Sequence, residues 1–286
     1  MTTVTRLGVV GCGLMGSGIA EVAARRAIDV RVAEATPEAL EAGRRRIIAS
    51  LDRGVQRGKL SEQQREQALA HLSFTHDLSD LADREFVIEA VAENRDIKTD
   101  VLTAVDKALE DPTAILATNT SSIPIVDLAV NTERPGRFIG MHFFNPVPVQ
   151  QLVEVIPALT SSPETVECTR ELVGQLGKKA IQAPDRSGFV VNALLVPYLL
   201  SAVRMVESSA ARPDDIDRGM ELGCAHPMGP LRLLDLIGLD TAQAVAESMY
   251  AEFKEPLYAP PALLRRMVAA GHLGRKSGRG FYSYDD

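Results

Sequence analysis

The sequence is poor in the residues that mark several classes of protein. Its 286 residues include no tryptophan and only three cysteines, Cys12, Cys168 and Cys224. Because these cysteines are far apart and odd in number, they are typical of reduced thiols and offer none of the paired spacings of a metal site or a disulfide framework. Their spacing therefore leads us to expect no bound metal. No apolar run approaches the roughly 20 residues that cross a bilayer, so we also expect no membrane association.

An excess of basic residues is also absent. The 31 Lys and Arg residues are outnumbered by 38 Asp and Glu residues, and the net charge of −7 argues against nucleic acid as a partner. A hydrophobic fraction of 45% is ordinary for a globular protein, and the length is sufficient for two domains. The chain passes directly from Met1 into a strand pattern at Arg6, so we expect no signal peptide and a cytoplasmic location.

The amino-terminal segment has the pattern of a dinucleotide-binding unit. Arg6–Val10 is a short apolar strand, Leu14–Ala27 has helical periodicity, and Val30–Ala33 resumes a strand that ends at Glu34. The loop Gly11-Cys-Gly-Leu-Met-Gly16 links the first strand to the helix. A Gly-x-Gly-x-x-Gly loop between a strand and a helix predicts that a dinucleotide binds at the amino end of that helix.

Each part of this unit has a predicted task. Gly11 permits the tight turn, Gly13 lets a pyrophosphate approach the backbone, and Gly16 lets the helix pack closely on the strand. Glu34 is placed to accept hydrogen bonds from the adenosine ribose, and its charge repels a 2′-phosphate, which favours NAD over NADP. NADP stays open as an alternative because polar residues lie nearby in the sequence: Arg25, Arg26, Arg31 and Thr36. The predicted cofactor contacts of the loop are Gly11, Gly13, Leu14, Met15 and Gly16.

Two interpretations fit the segment Pro37–Lys59, which has the pattern of a long helix with one apolar face. On another face, Arg53 and Arg57 each fall within about 20° of Arg46. Such a stripe is usually a solvated surface. It also suits a polyanion such as the phosphates of coenzyme A, with Lys59 beside it, and the pattern alone leaves both interpretations open.

A parallel sheet continues beyond this helix. Phe86–Val91 and Ala114–Thr118 are buried-type strands that flank a helix at Ile97–Leu109, and this βαβ order predicts parallel strands. Phe138–Met141 and Leu152–Ile156 follow as further strands.

Polar residues follow two of these strands. Glu93 comes just after the first, and Asn119 and Ser121 come just after the second. Because ligands of an open α/β sheet bind beyond the carboxyl ends of its strands, these three are predicted site residues. Asn94 and Ser122 have the simpler interpretation of caps that start the next helices.

The strongest indication of chemistry is a histidine followed, twelve positions later, by a carboxylate. Glu154 stands between Val153 and Val155 in a strand that is otherwise apolar, where burying a carboxylate is costly unless it is paired. His142 follows the preceding strand, across a Pro-rich turn from Glu154. A histidine held by a buried carboxylate is an arrangement that moves a proton, so the two residues predict acid/base catalysis.

The alternation of strands and helices ends near residue 184. Lys178–Gln182 is the last predicted strand, and we expect a nucleotide-binding domain over residues 1–184 and a helical domain over residues 185–286. Phe189–Glu207 is a strongly apolar helix that forms either the core of the second domain or a dimer interface. Asn192, in its first turn, is either a helix-start residue or a site residue. Three more helices are expected, at Asp214–Leu222, Leu239–Phe253 and Pro261–Ala270.

Over essentially its whole length the chain resembles the 3-hydroxyacyl-CoA dehydrogenase family, particularly the short bacterial members that act on 3-hydroxybutyryl-CoA. The matching segments occur in the family's order and spacing: Gly11–Gly16, Glu89–Asn94 with Lys98, Asn119–Ser122, His142–Pro148, Gly188–Asn192, Pro227–Pro230, Asp235–Asp240 and Gly274–Tyr282. The resemblance implies an α/β Rossmann-type dinucleotide-binding domain followed by an all-α carboxyl-terminal domain.

The resemblance also implies catalytic roles. His142 matches the family's acid/base, and Glu154 matches its partner. Ser121 and Asn192 match residues around the substrate's reacting oxygen and the histidine, and Asn145 matches an asparagine beside them.

Other matches concern binding. Residues around the nicotinamide half of the cofactor correspond to Glu93, Lys98 and Asn119. A helical tail that contacts coenzyme A corresponds to the basic stretch with Arg53, Arg57 and Lys59. Two departures stand out: Ser187 replaces the usual proline before Gly188, which we expect to make the interdomain turn less rigid, and Ala193 replaces a common arginine.

We therefore expect a homodimer that catalyses reversible, NAD-dependent oxidation of a (3S)-hydroxyacyl-CoA, with 3-hydroxybutyryl-CoA as the leading candidate. One alternative is the same chemistry on a carrier-protein-bound or hydroxyadipyl-type thioester. Others are a relative that acts on a free hydroxy acid or sugar acid, and a non-catalytic NAD-binding protein.

Overall fold

The structure, a computed structural model, describes residues 3–284. It divides into two compact units between Asp185 and Arg186, one residue beyond the boundary expected from the sequence. Within the described residues, strands belong to the first unit and the second is built mainly of helices. No helix in residues 3–284 combines the length and the apolar character needed to span a membrane.

The first unit is organised around a sheet. Its strands within the described residues are β1 (Arg6–Val10), β2 (Asp29–Ala33), β3 (Leu72–Thr75), β4 (Phe86–Glu89), β5 (Ile115–Thr118), β6 (Phe138–Phe143), β7 (Leu152–Pro157) and β8 (Lys179–Gln182). Their order in the sheet is β3-β2-β1-β4-β5-β6-β7-β8. The strand order reverses between β1 and β4, and ligands of such sheets bind at that switch point, beyond the carboxyl ends of the strands.

The sheet is mixed, which the sequence analysis did not anticipate. The strands from β3 through β6 pair in parallel, as the βαβ pattern predicts. β7 runs antiparallel to β6, and β8 pairs in parallel with β7. The cause is the short connection over residues 144–151, because a parallel crossover needs about a dozen residues or more.

Helices of the first unit pack against this sheet or on one another. They are α1 (Leu14–Ala24), α2 (Pro37–Gln56), α3 (Glu62–Ala70), α4 (Arg95–Ala108), α5 (Ile125–Ala129) and α6 (Pro163–Gln175). Thr36, Ser61 and Asn94 cap three of them by accepting a backbone N–H three residues later. The cap interpretation of Asn94 is therefore confirmed.

Three elements of this unit escaped the sequence analysis, and two helices were predicted too long. α1 ends at Ala24 rather than Ala27. α2 ends at Gln56 rather than near Lys59, and the chain turns at Gly58, whose φ is +66°. α3, β3 and α6 were not predicted. α3 buries only Ala68 and so has no apolar stripe, although the capping box formed by Ser61 and Gln64 marks its start.

The second unit is a cluster of helices around its own core. They are α7 (Val191–Glu207), α8 (Pro213–Cys224), α9 (Pro230–Ile237), α10 (Leu239–Phe253) and α11 (Ala262–Ala269). The apolar helix α7 buries Leu199, Leu200 and Val203 in that core, which confirms the core interpretation for its inner face, while Leu194 is 75% exposed. α9 was not predicted.

Candidate active site

The glycine loop joins β1 to α1, and its three glycines differ in what they allow. Gly11 has a φ of +90°, and a side chain there would collide with the Ala90 carbonyl beyond β4. A side chain on Gly16 would collide with the Gly11 carbonyl, so Gly16 permits the close packing of α1. Apart from Gly13 itself and its two chain neighbours, nothing in residues 3–284 lies within 4 Å of the position of a Cβ on Gly13. The backbone there is open to a ligand, as the motif predicts.

The start of α1 suits a pyrophosphate. Leu14 and Met15 are its first residues, and Leu14 is 61% exposed. Across the described part of the chain no side chain caps this helix, so its first N–H groups can donate to an anion. The open loop and the uncapped amino end fit NAD.

The Glu34 carboxylate is hydrogen-bonded to the glycine loop. Its Oε2 accepts a hydrogen bond from the Cys12 N–H at 2.7 Å, and its Oε1 accepts one from the Ala35 N–H at 2.9 Å. Arg46 approaches the same loop, because its Nη1 donates to the Cys12 carbonyl at 2.8 Å. Arg46 is thus tied to the cofactor loop, a role that neither interpretation of the basic stripe included.

Cys12 is a packing residue. Its side chain is 1% exposed, and a side chain on Gly43 of α2 would collide with its sulfur. Burial, followed by the charge of Glu34, raises the pKa of the Cys12 thiol to about 12, although Arg46 acts in the opposite direction. The thiol therefore stays protonated near neutral pH and is a poor nucleophile.

Glu93 organises the segment that follows β5. Its Oε1 accepts hydrogen bonds from the Thr120 hydroxyl at 2.6 Å, from the Ser121 N–H at 2.9 Å and from the Ser122 hydroxyl at 2.9 Å. Burial acts to raise the pKa of Glu93, but the charge of Lys98 and these hydrogen bonds outweigh it and hold that pKa below its ordinary value. Ser122 does not cap α5, so its cap interpretation was wrong.

Lys98 is buried rather than exposed at the site. Its Nζ donates to Glu89 Oε1 at 2.7 Å and lies 3.4 Å from Glu93 Oε2. Glu89 is itself 0% exposed and also accepts from the Thr118 hydroxyl at 2.6 Å and the Val91 N–H at 2.7 Å. Because Lys98 is buried and lies beside Glu93, its position favours a role in holding Glu93 in place rather than a direct contact with NAD. Glu89 was missed as a functional candidate, although it is a carboxylate at the end of an apolar strand.

His142 and Glu154 meet across β6 and β7. The two residues are direct partners in the antiparallel register, and His142 Nδ1 lies 2.7 Å from Glu154 Oε2. The Phe144 ring stands edge-on to the imidazole, with ring centroids 4.7 Å apart. The side chain of His142 is 8% exposed and that of Glu154 is 0% exposed, so the histidine is the member of the pair that a substrate can reach.

The predicted asparagines occupy different positions. Asn119 follows β5, and its Oδ1 accepts the Phe143 N–H at 3.0 Å, which fixes the end of β6 beside the histidine. Asn145 is exposed in the connection from β6 to β7. Asn192 is the second residue of α7 in the second unit and is half-buried.

The predicted coenzyme A contacts lie at the end of α2 and just after it. Arg53, Arg57 and Lys59 are all exposed, which is compatible with either interpretation of the stripe. Lys59 also lines a cavity in the first unit.

The residues around the unit boundary are held by hydrogen bonds on either side. The Asp185 carboxylate accepts the N–H groups of Ile125 and Val126 at 2.6 and 2.9 Å and so caps α5. Ser187 donates its N–H to Glu252 of α10 at 2.8 Å, and its hydroxyl lies 2.9 Å from the Ser248 hydroxyl. A proline could make neither bond. We expected the serine to loosen this turn, but its two hydrogen bonds hold it in place.

The fold and the site together define an NAD-binding oxidoreductase with a doubly wound nucleotide-binding domain and a helical second domain. A sequence profile of the 3-hydroxyacyl-CoA dehydrogenase NAD binding domain matches residues 6–186, and one of the 3-hydroxyacyl-CoA dehydrogenase C-terminal domain matches residues 188–284. The chain therefore belongs to the 3-hydroxyacyl-CoA dehydrogenase family, as the sequence resemblance predicted.

Similar proteins are known from bacteria. The chain is 54% identical over 282 residues to a 3-hydroxybutyryl-CoA dehydrogenase of Mycobacterium tuberculosis, which covers 98% of this chain and 99% of that protein. The crystal structure of M. tuberculosis FadB2 matches with a TM-score of 0.98 and 53% identity over 99% of this chain and 100% of that one. That of (S)-3-hydroxybutyryl-CoA dehydrogenase PaaH1 from Ralstonia eutropha matches with a TM-score of 0.95 and 45% identity, at 99% and 100% coverage.

Proposed function

We propose that the protein oxidises (3S)-hydroxyacyl-CoA thioesters, with 3-hydroxybutyryl-CoA foremost, to 3-ketoacyl-CoA with NAD, and that it catalyses the reverse reaction. The observation that carries the proposal is the 2.7 Å contact between His142 Nδ1 and the buried Glu154 carboxylate. A relative 54% identical over nearly the whole chain is named a 3-hydroxybutyryl-CoA dehydrogenase, which supports the choice of thioester.

In this proposal His142 is the acid/base. When bound, NAD supplies the hydride acceptor for oxidation, and NADH supplies the hydride donor for reduction. Glu154 accepts the Nδ1–H of His142, which fixes the tautomer and leaves proton exchange with the substrate to Nε2. Nε2 takes the proton of the 3-hydroxyl as the hydride leaves C3. In the reverse direction the imidazolium, stabilised by the Glu154 carboxylate, returns that proton to the 3-keto oxygen.

The neighbouring polar residues have positioning and binding roles in the proposal. Ser121 and Asn192 contact the substrate's reacting oxygen, and Asn145 lies beside the acid/base. Glu93 holds the Ser121 segment through the Ser121 N–H, and Lys98 holds Glu93. Asn119 fixes the end of β6 through the Phe143 N–H.

Substrate capture and assembly complete the proposal. Three exposed basic side chains are placed to bind the phosphates of coenzyme A: Arg53, Arg57 and Lys59. The protein acts in the cytoplasm. A homodimer through the second unit is supported by two large apolar side chains on its surface, Leu194 and Leu222, each 75% exposed. Exposed apolar side chains that form one contiguous patch mark association surfaces.

The deciding experiment is reduction of acetoacetyl-CoA with NADH by the native enzyme and by His142→Gln. General acid/base catalysis contributes about 10²–10⁴-fold, so we expect kcat to fall by about 10³ in the variant with the fold retained. Near-native turnover by His142→Gln would sink the assignment. Running longer 3-ketoacyl-CoAs and a carrier-protein thioester in parallel decides the acyl carrier, because the true substrate has the highest kcat/KM.

A further inference from the structure

A cavity in the first unit lies away from the glycine loop, at the carboxyl end of α1. Its volume is about 610 Å³, and its walls come from the end of α1, from α3, and from the segments 148–151 and 176–178. Cavities of a few hundred Å³ are large enough for a nucleotide-sized ligand.

The walls of this cavity are basic. Arg25, Arg26, Lys59 and Lys178 line it, together with His71. No Asp or Glu of residues 3–284 is among the lining residues, although acidic residues outnumber basic ones by seven in the whole chain. The four cations come from three separate parts of the sequence, so their convergence is a property of the fold rather than of one charged segment.

The cations of the cavity are poorly neutralised. Arg25 is paired with Glu21 at 3.4 Å, but the side chains of Arg26 and Lys59 have no hydrogen bond or ion pair within residues 3–284. The Arg26 guanidinium lies close to Gly177 on the opposite wall. Burial, then the charges of Arg25 and Arg26, lower the pKa of Lys178, which indicates mutual repulsion that a bound anion would relieve.

Lys178 links the cavity to the connection between β6 and β7, the strands that carry His142 and Glu154. Its Nζ donates to the carbonyls of Val147 and Gln150, at 2.7 and 2.6 Å, in the connection between β6 and β7. These carbonyls are neutral acceptors, so they orient the ammonium without cancelling its charge.

We propose that this cavity, through Arg25, Arg26, Lys59 and Lys178, is a binding site for the phosphate groups of a nucleotide. Two arginines and two lysines around one space match a polyphosphorylated group better than a single carboxylate, because guanidinium and ammonium groups both donate charge-assisted hydrogen bonds to phosphate oxygens. The phosphate belongs either to the nucleotide end of the thioester substrate, in which case the inference rests on the proposed function, or to a free nucleotide.

Binding is tested first, without turnover. Adenosine 3′,5′-bisphosphate is titrated calorimetrically into the full-length protein saturated with NADH, so that the Rossmann site is filled. We expect Arg26→Ala and Lys59→Ala each to weaken binding by about tenfold, the effect of losing one hydrogen bond to a charged group. Lys107→Ala, which removes an exposed lysine on α4, is the matched control and should bind as the native protein does. Lys178 is left intact because it also holds the connection between β6 and β7.

Kinetics then separates the two sources of phosphate. If the substrate carries it, Arg26→Ala raises KM for acetoacetyl-CoA about tenfold but leaves KM for acetoacetyl-N-acetylcysteamine, which has no phosphate, unchanged. If a free nucleotide binds instead, saturating acetoacetyl-CoA does not displace the bisphosphate from the native protein. Native-like affinity for the bisphosphate in both cavity variants, with both KM values unchanged, would overturn the inference. Because the titration needs no turnover, it tests the cavity even if the proposed reaction fails.

Discussion

Glu154 lies directly opposite His142 in the antiparallel pair of β6 and β7, and its Oε2 is 2.7 Å from Nδ1 of the imidazole. Register alone puts both side chains on the same face of the sheet, since directly paired residues point to the same side. A shift by one residue would send the carboxylate to the other face and leave the histidine without it. The contact between His142 and Glu154 is therefore a direct product of strand pairing.

The first prediction concerns that carboxylate. Glu154→Gln keeps the shape of the side chain but removes the charge that stabilises an imidazolium, so we expect kcat to fall by about 10²-fold or more with little change in KM. Steady-state kinetics with NADH and acetoacetyl-CoA measures the change. Glu164→Gln, at an exposed position at the start of α6, is the control and should behave as native. Equal kcat values for native enzyme and Glu154→Gln would contradict the proposed mechanism.

A second prediction concerns the choice of cofactor. Glu34→Ser removes a negative charge that hydrogen-bonds the glycine loop, while Arg46 remains on the Cys12 carbonyl at 2.8 Å. We expect kcat/KM to fall for NADH and to rise for NADPH by about tenfold, the equivalent of about 1.4 kcal/mol. Adding Arg46→Ala should remove the gain for NADPH. An unchanged preference in Glu34→Ser would show that Glu34 does not select the cofactor.

The buried ion pair of Lys98 and Glu89 gives a prediction about stability. Both side chains are 1% exposed, and removing one partner of a buried pair leaves an uncompensated charge. We expect Lys98→Met to lower the free energy of unfolding by about 3–5 kcal/mol, and Lys98→Met with Glu89→Gln to recover most of that loss. Urea denaturation measures both variants against Lys107→Met. Additive losses in the double variant would mean that the two side chains do not act as a pair.

Glu93 gives a prediction about pH. Its pKa in the folded protein is held below the ordinary value of 4.5, so its ionised form stabilises the fold above about pH 4.5. That stabilisation is lost as the pH falls through the lowered folded-state pKa. The difference in Tm between the native protein and Glu93→Gln should therefore be largest near neutral pH and shrink in acid. A difference that stayed constant from pH 7 to pH 3 would exclude this origin.

The parts of the site that could be predicted share a simple physical cause. A carboxylate inside an apolar strand requires a partner, and that requirement alone joined Glu154 to His142. The glycine loop was predictable because Gly11 and Gly16 occupy places where any side chain would collide with backbone. Each of these arguments uses only local sequence and the cost of burial or overlap.

The parts that were missed depend on distant neighbours. Glu89 looks like any polar residue at the end of a strand, and only the fold brings Lys98 and Thr118 onto its carboxylate. Arg46 shares a helix face with Arg53 and Arg57, yet it alone meets the glycine loop. The reversal of β7 follows from a short connection, which the strand pattern by itself does not reveal. Tertiary contacts, rather than residue type, separate these cases.

The anchoring of Asp185 and Ser187 has a mechanical consequence. Asp185 is fixed to α5 in the first unit and Ser187 to α10 in the second, so the chain passes from the hydrogen bonds of one unit to those of the other within two residues. A proline at position 187, which can make neither bond of Ser187, would free the chain from α10 while the Asp185 cap of α5 stays intact.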